Sequence, residues 1–413
     1  MKSQPHSVHA PLVAVFVISD LEFGGLQRQI VNVANYMDDN LCQIYLCSLA
    51  DCVPLSAVLR DKEKRLKLIL RRGKYDFTVV PRLARFLREV QADIVYNNLF
   101  DATIAGRLSG RWAGRPAIVD SEANTDYKLK FSNAVALRLT RWCNDVTIAN
   151  SRAGAAYQSR LLGQSPETYR VVYNGVDVER FKPGNSSALR AELGLKESQP
   201  VVGMFASFKP QKNHPLWLRA AKKVVERIPD VKLVFVGDEL FKGGSNSLEF
   251  KKTISKTVDD LGLRPHCLFL GNKSDVENYY NICTLTVLPS LYEGMPNVAL
   301  ESMACGVPIV ATNVADNAHL IRDGQTGFVI PLGDDQILAD RVCQLLLDPS
   351  LRQRMSQEGR RWMAGEFSCR KFADKTLAVF REAIVLRTTG RLIPQREGLV
   401  SLTKQQGEQP ALR

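Results

Sequence analysis

The sequence is poor in the features that would place it among several large classes. Its 413 residues hold only five histidines, at positions 6, 9, 214, 266 and 319. None stands in a cluster with cysteine or acidic residues, which speaks against a zinc centre. The nine cysteines include no C-x-x-C pair; Cys42, Cys47 and Cys52 are evenly spaced but lack a completing ligand. Free thiols in a reducing compartment are the expectation. No G-x-G-x-x-G follows the first apolar run, so a dinucleotide dehydrogenase is disfavoured. That run, Leu12–Ile18, is too short for a signal h-region or a membrane span and reads as a buried strand. A cytosolic protein is expected, with a peripheral place at the inner membrane as its refinement.

The composition is that of a globular protein with 45% hydrophobic and 24% charged residues, and the net charge is +12. The excess is uneven. Between Arg60 and Arg88 there are eleven Lys/Arg against three Asp/Glu. The run reads either as a solvated helical face or as a patch for anionic lipid or an anionic acceptor. Lys62, Lys64, Arg65, Lys67, Arg71, Arg72 and Lys74 are close enough in sequence to act together. No nucleic-acid partner is expected, since no finger, RNP-like or aromatic-interleaved basic sequence accompanies the charge.

The length suits two domains. Strand signals at Leu12–Ser19, Asp93–Tyr96, Ala117–Val119 and Val146–Ala149 alternate with helical periodicity at Val80–Val90 and Ala134–Trp142. Such alternation predicts a parallel sheet covered on both faces. A turn-rich segment, Phe181–Ser187, reads as a linker. The alternation then restarts with strands at Val201–Phe205, Lys232–Val236, Cys267–Leu270, Leu285–Leu288, Ile309–Ala311 and Phe328–Ile330. The expectation is therefore α/β, with two Rossmann-like doubly wound domains facing a central cleft. The expected divisions are 1–182, 183–370, a last helix at 371–388 packing back towards the N-domain, and a polar tail at 389–413. Open sheets of this kind bind ligands at the carboxyl ends of their strands.

The most informative stretch runs from Leu288 to Pro308. A strand ends at Pro289 and a loop carries Glu293 and Gly294. Pro296 stands where a helix begins, in the manner of an N1 proline. The amides of Asn297 and Val298 would then be unpaired at a helix N-terminus, a ready anion site. Glu301 lies about one turn inside, so both carboxylates can face one ligand.

This block resembles the retaining glycosyltransferases of family 4 (glycosyl transferases group 1), which have the B-type fold of two Rossmann domains. The resemblance extends over most of the chain. Gly24-Gly25 matches the glycine loop after the first strand, Asn174-Gly175-Val176-Asp177 the end of the N-domain, and Lys212 the phosphate-binding lysine. Gly271-Asn272-Lys273-Ser274-Asp275-Val276 matches the base-binding loop, and Asp323-Gly324 with Gly327 the turn after the signature helix.

The resemblance implies that Glu293 contacts the donor sugar and that Glu301 holds the ribose hydroxyls. It implies that Lys212 and the amides of Met295, Pro296's neighbour Asn297, and Val298 meet the diphosphate. A lysine and a helix N-terminus can stabilise a departing nucleoside diphosphate without a metal, and no Asp-x-Asp stands at a strand end. No metal and no cofactor are expected. The implied partners are a UDP- or GDP-sugar donor and a glycan or lipid-linked acceptor, in cell-envelope polysaccharide synthesis.

Two positions depart from the family pattern. Ser207 replaces an arginine five residues before Lys212, and Lys209 can supply the charge though not the planar fork. Asn98 replaces an N-domain histidine. It can hydrogen-bond a sugar hydroxyl but cannot act as a base at neutral pH. The loop Ser121–Asp126 should line the cleft, with Asn124 and Asp126 as candidate acceptor contacts or members of an Asx-rich turn. The competing readings are a nucleotide-sugar epimerase or hydrolase of the same fold, and a non-catalytic nucleotide-sugar-binding partner.

Overall fold

The structure is a computed structural model that describes residues 10–73, 76–114, 116–123, 129–238 and 245–390. The chain forms two units, one of residues 1–173 with 370–413, the other of residues 174–369. The turn-rich segment Phe181–Ser187 lies within the second.

The first unit is built on seven parallel strands: β1 Leu12–Ile18, β2 Cys42–Ser48, β3 Leu66–Leu68, β4 Ile94–Asn98, β5 Ala117–Glu122, β6 Val146–Ala149 and β7 Tyr169–Val171. Their order is β3-β2-β1-β4-β5-β6-β7. The alternation of β1 explains why it is apolar throughout. Ala14, Phe16 and Ile18 point into one core cluster, and Val15 and Val17 into another, so both faces of the sheet are covered. The helix Cys369–Thr389 supplies Phe372, Leu377, Phe380 and Ala383 to the first of these clusters. Phe380 is fully buried and meets Phe16 and Tyr96 edge to face at 5.9 and 5.4 Å. Arg170 of β7 forms an ion pair with Glu382 of this helix.

The second unit has six parallel strands: β8 Val201–Phe205, β9 Lys232–Val236, β10 Cys267–Phe269, β11 Leu285–Leu288, β12 Ile309–Thr312 and β13 Gly327–Ile330. Their order is β10-β9-β8-β11-β12-β13. Each sheet reverses its winding once, between β1 and β4 in the first unit and between β8 and β11 in the second. Ligands of such sheets bind at these switch points, outside the carboxyl ends of the strands.

Three strands escape the sequence reading. β2 carries two of the evenly spaced cysteines, Cys42 and Cys47, which are packed in the core. β3 and β7 have only three residues each. The basic run is not one helical face either. It divides into a four-residue helix, Lys62–Arg65, then β3, then the helix Val79–Glu89.

Candidate active site

At the switch point of the second sheet, the loop after β8 meets the loop after β11. The β8 loop tightens into a 3-10 turn, Pro210–Lys212, closed by Asn213 at φ 52°. Two backbone-directed bonds tie it to the other loop: Leu291 N donates to Gln211 O at 2.8 Å, and Gln211 Nε2 to Tyr292 O at 2.9 Å. This brings Lys212 Nζ to 2.6 Å from Glu293 Oε1. Ser290 Oγ, fully buried, donates to the same oxygen at 2.6 Å. Ser290 is itself fixed, because Thr312 at the end of β12 donates to its carbonyl at 2.6 Å. Glu293 is only 6% exposed, so the lysine and the serine hydroxyl together offset the loss of its hydration.

The helix Asn297–Ala304 follows, with Pro296 in the N-cap position rather than at N1. The consequence is the same, since proline has no N–H to leave unpaired. Glu301 lies on the buried side of this helix. Tyr280 Oη donates to its Oε2 at 2.9 Å. The Tyr280 ring is stacked on Phe205, the last residue of β8, at 3.8 Å between centroids. The ring therefore cannot swing away, and it fixes where the Glu301 carboxylate points. Asn174 Nδ2 donates to Asn297 Oδ1 at 2.9 Å, anchoring the helix start to the first residue of this unit.

The ends of β8, β9 and β10 are drawn together at Gly237. Its φ is 131°, its N–H donates to Gly271 O at 2.9 Å, and a Cβ there would meet Ala206 O at 2.3 Å. Only glycine fits. The expected base-binding loop, Gly271, Asn272 and Lys273, and the phosphate-side residues Ser207 and Lys209 thus flank one strand-end region. Ser207 and Lys209 are half-buried, and Lys273 lies over the Tyr279 ring at 5.2 Å. Beside Lys212, His214 is 1% exposed and stacked on Phe208 at 4.7 Å. Burial, with the Lys212 charge second, pushes its pKa down from 6.5 to about 4.

In this unit the structure gathers Ser207, Lys209, Lys212, Gly271, Asn272, Lys273, Glu293, Gly294, Met295, Pro296, Asn297, Val298 and Glu301 around the ends of neighbouring strands. The sequence reading missed Ser290 and Tyr280, which hold the two carboxylates. Ser290 stands in the quoted motif, three residues before Glu293. Nothing local marks Tyr280, whose partner is 21 positions away.

The remaining candidates lie in the first unit. Gly24 caps the helix Gly25–Tyr36 after β1. Asn98 ends β4 opposite Ile18 of β1, at that sheet's switch point. It is fully buried, and its Nδ2 donates to Tyr96 O at 3.0 Å and Val17 O at 3.5 Å. Asn124, Asp126 and Lys74 lie outside the described residues. The basic run loses a member to the interior: Arg65 is buried and bonded to Asp39 at 2.6 Å. Arg71 pairs with Asp101 and Arg82 with Asp76, at 2.8 and 2.7 Å. Lys62, Lys64, Lys67 and Arg72 are exposed. Among the described residues no helix is long and apolar enough to cross a membrane.

Comparison with known proteins agrees with this layout. Residues 185–362 match the family described as Glycosyl transferases group 1, and residues 23–180 match Glycosyltransferase Family 4. A D-inositol 3-phosphate glycosyltransferase of Saccharomonospora viridis is 32% identical over 58% of this chain, which spans 56% of that protein's length. The UDP-Gal:alpha-D-GlcNAc-diphosphoundecaprenol alpha-1,3-galactosyltransferase of Escherichia coli is 29% identical over 86% of this chain and 87% of its own. In fold, the chain is similar to HepE of Anabaena, solved in complex with UDP-glucose. The TM-score is 0.76 at 24% identity, over 89% of this chain and 100% of that one. A glycosyltransferase of Rickettsia africae is similar at a TM-score of 0.77 and 19% identity, over 91% and 99%. With both halves matched and the two Rossmann-like sheets in place, the chain belongs to the glycosyltransferases, family 4 in its N-terminal half and group 1 in its C-terminal half.

Proposed function

We propose that the protein is a retaining, metal-independent glycosyltransferase that moves a hexose from a UDP- or GDP-sugar to a lipid-linked glycan in cell-envelope polysaccharide synthesis. The observation that carries the reading is the convergence of Lys212 and Glu293 at the switch point of the second sheet, 2.6 Å apart and largely buried. The named Escherichia coli relative, which acts on a diphosphoundecaprenol substrate, supports the acceptor class.

In this account Lys212 and Glu293 hold each other until the donor arrives. The diphosphate takes the Lys212 ammonium, with the amides of Asn297 and Val298 at the helix start as further donors. Glu293, kept in place by Ser290, then faces the sugar, and Glu301 receives the ribose hydroxyls. The bond between the anomeric carbon and the phosphate oxygen breaks, and the charge grows on the leaving diphosphate, where Lys212 stabilises it. The acceptor oxygen bonds to the anomeric carbon on the same face, and its proton passes to the departing phosphate. No protein base is needed, which suits an N-domain with Asn98 in place of a histidine. Asn98 is given a positioning role: its amide ties the ends of β1 and β4 together.

The test is product analysis with a UDP- or GDP-sugar and a diphosphate-lipid acceptor, with and without EDTA. Nuclear magnetic resonance of the product should show the donor's anomeric configuration, at an unchanged rate in EDTA. An inverted product would refute retention, and a loss in EDTA that magnesium restores would show that a metal holds the diphosphate.

A further inference from the structure

The helix Phe131–Thr140 and the 3-10 turn Arg141–Cys143 bury one side through Ala134, Leu137 and Cys143. Their other side carries large apolar groups in water. Phe131 is 83% exposed, Leu139 70% and Trp142 68%. With half-buried Val135 they fall at positions i, i+4, i+8 and i+11, within about 80° of arc around the helix. Trp112, on the neighbouring helix Phe100–Ala113, is also 59% exposed, and Arg111 next to it in sequence donates to Trp142 O at 3.3 Å. Soluble surfaces scatter such side chains singly; a contiguous stripe marks a contact.

The charge around the stripe names the contact. From Lys130 to Cys143 there are three cations, Lys130, Arg138 and Arg141, and no carboxylate. All three are exposed. Arg138 Nε donates to Leu161 O at 2.7 Å, and Arg141 Nη1 to Leu162 O at 2.7 Å. Both guanidinium groups are thus anchored on carbonyls at the end of the helix Arg152–Leu162, so the positive charge near the stripe is fixed in place. A two-fold contact with a second copy would set these cations against their own equivalents. An anionic bilayer meets both features, with the aromatic rings at the headgroup level and the cations on lipid phosphates.

We propose that this helix and turn dock the protein on an anionic phospholipid surface. The proposal deepens the reading of a lipid-linked acceptor by naming the surface that brings the enzyme to it. It is separate from the Arg60–Arg88 run, in which Arg60, Arg65, Arg71 and Arg82 already form ion pairs.

The test is cosedimentation of the full chain with phosphatidylcholine vesicles and with vesicles of equal parts phosphatidylcholine and phosphatidylglycerol, across a salt series. Binding should require phosphatidylglycerol and weaken with salt. The exposed-site variant Leu139→Ser/Trp142→Ser should bind about tenfold less. Tryptophan emission of the wild type should shift to the blue on the mixed vesicles. Unchanged binding by this variant, or a larger loss in Lys62→Gln/Lys64→Gln/Lys67→Gln, would overturn the proposal. So would a self-association that the stripe variant abolishes without vesicles. Thermal stabilisation of the same samples by UDP or GDP reads the donor site separately: its absence with both nucleotides would count against the transferase reading and leave the docking result intact.

Discussion

Glu293 has one carboxylate oxygen shared by Lys212 and Ser290, and Glu301 has one held by Tyr280. A buried carboxylate that keeps such partners has its direction fixed before any ligand arrives, which is what a site needs to avoid reorganisation on binding. Tyr280→Phe keeps the ring stacked on Phe205 and removes only the hydroxyl. Nucleotide affinity should fall about tenfold, as for loss of a hydrogen bond to a charged group. Glu301→Ala should lose at least as much. Calorimetry that finds UDP or GDP bound equally by wild type and both variants would remove Glu301 from the ribose. His214 gives a second residue-scale prediction. Its folded pKa, about 4, lies below the ordinary 6.5. Between these values the unfolded chain takes up a proton that the folded one refuses, so stability falls as pH drops from 6.5 towards 4, by at most ~3 kcal/mol. His214→Leu should flatten that part of the curve. Parallel melting curves for the two proteins over this range would show that His214 does not titrate as its burial demands.

Among the elements, the helix Cys369–Thr389 belongs to the sheet of the first unit although it is last in sequence. Phe380→Ala would open a cavity against Phe16 and Tyr96 and cost about 3–5 kcal/mol. Denaturant unfolding followed by circular dichroism should show an early transition in this variant, with the remainder unmoved; a single unshifted transition would mean the helix is not a structural part of that unit. Elements of this kind also mark what was legible beforehand. The strands of the second unit were readable because each is a short apolar run bounded by turn residues, as Leu285–Leu288 is by Pro289. The strand β2 was not, since Cys42-Gln43-Ile44-Tyr45 alternates and draws the eye to its thiols. That Glu293 and Glu301 lie close together was readable because they sit in one strand-loop-helix block. Tyr280 and the Lys212–Glu293 pair were not, because both contacts cross between segments and depend on how β8 and β11 lie side by side. Within the basic run, the inward turn of Arg65 to Asp39 was not readable, because spacing in sequence does not show which side chain is buried.

At the scale of the whole molecule, two sheets of the same winding carry different cargoes. The second concentrates cations, carboxylates and a helix N-terminus at its switch point, whereas the first offers a glycine loop, a buried asparagine and an outward apolar stripe. That division fits a donor handled by one unit and an acceptor by the other. The central claim is that the pair Lys212–Glu293 is a diphosphate-sugar site, and calorimetric titration of UDP and GDP into wild type and Lys212→Gln tests it most directly. The account predicts that at least one nucleotide binds the wild type. It also predicts a loss of about tenfold or more in Lys212→Gln, the worth of a charge-assisted contact, with the variant's fold verified by its circular dichroism. Equal affinity in the folded variant, or no binding of either nucleotide to the wild type, would contradict it.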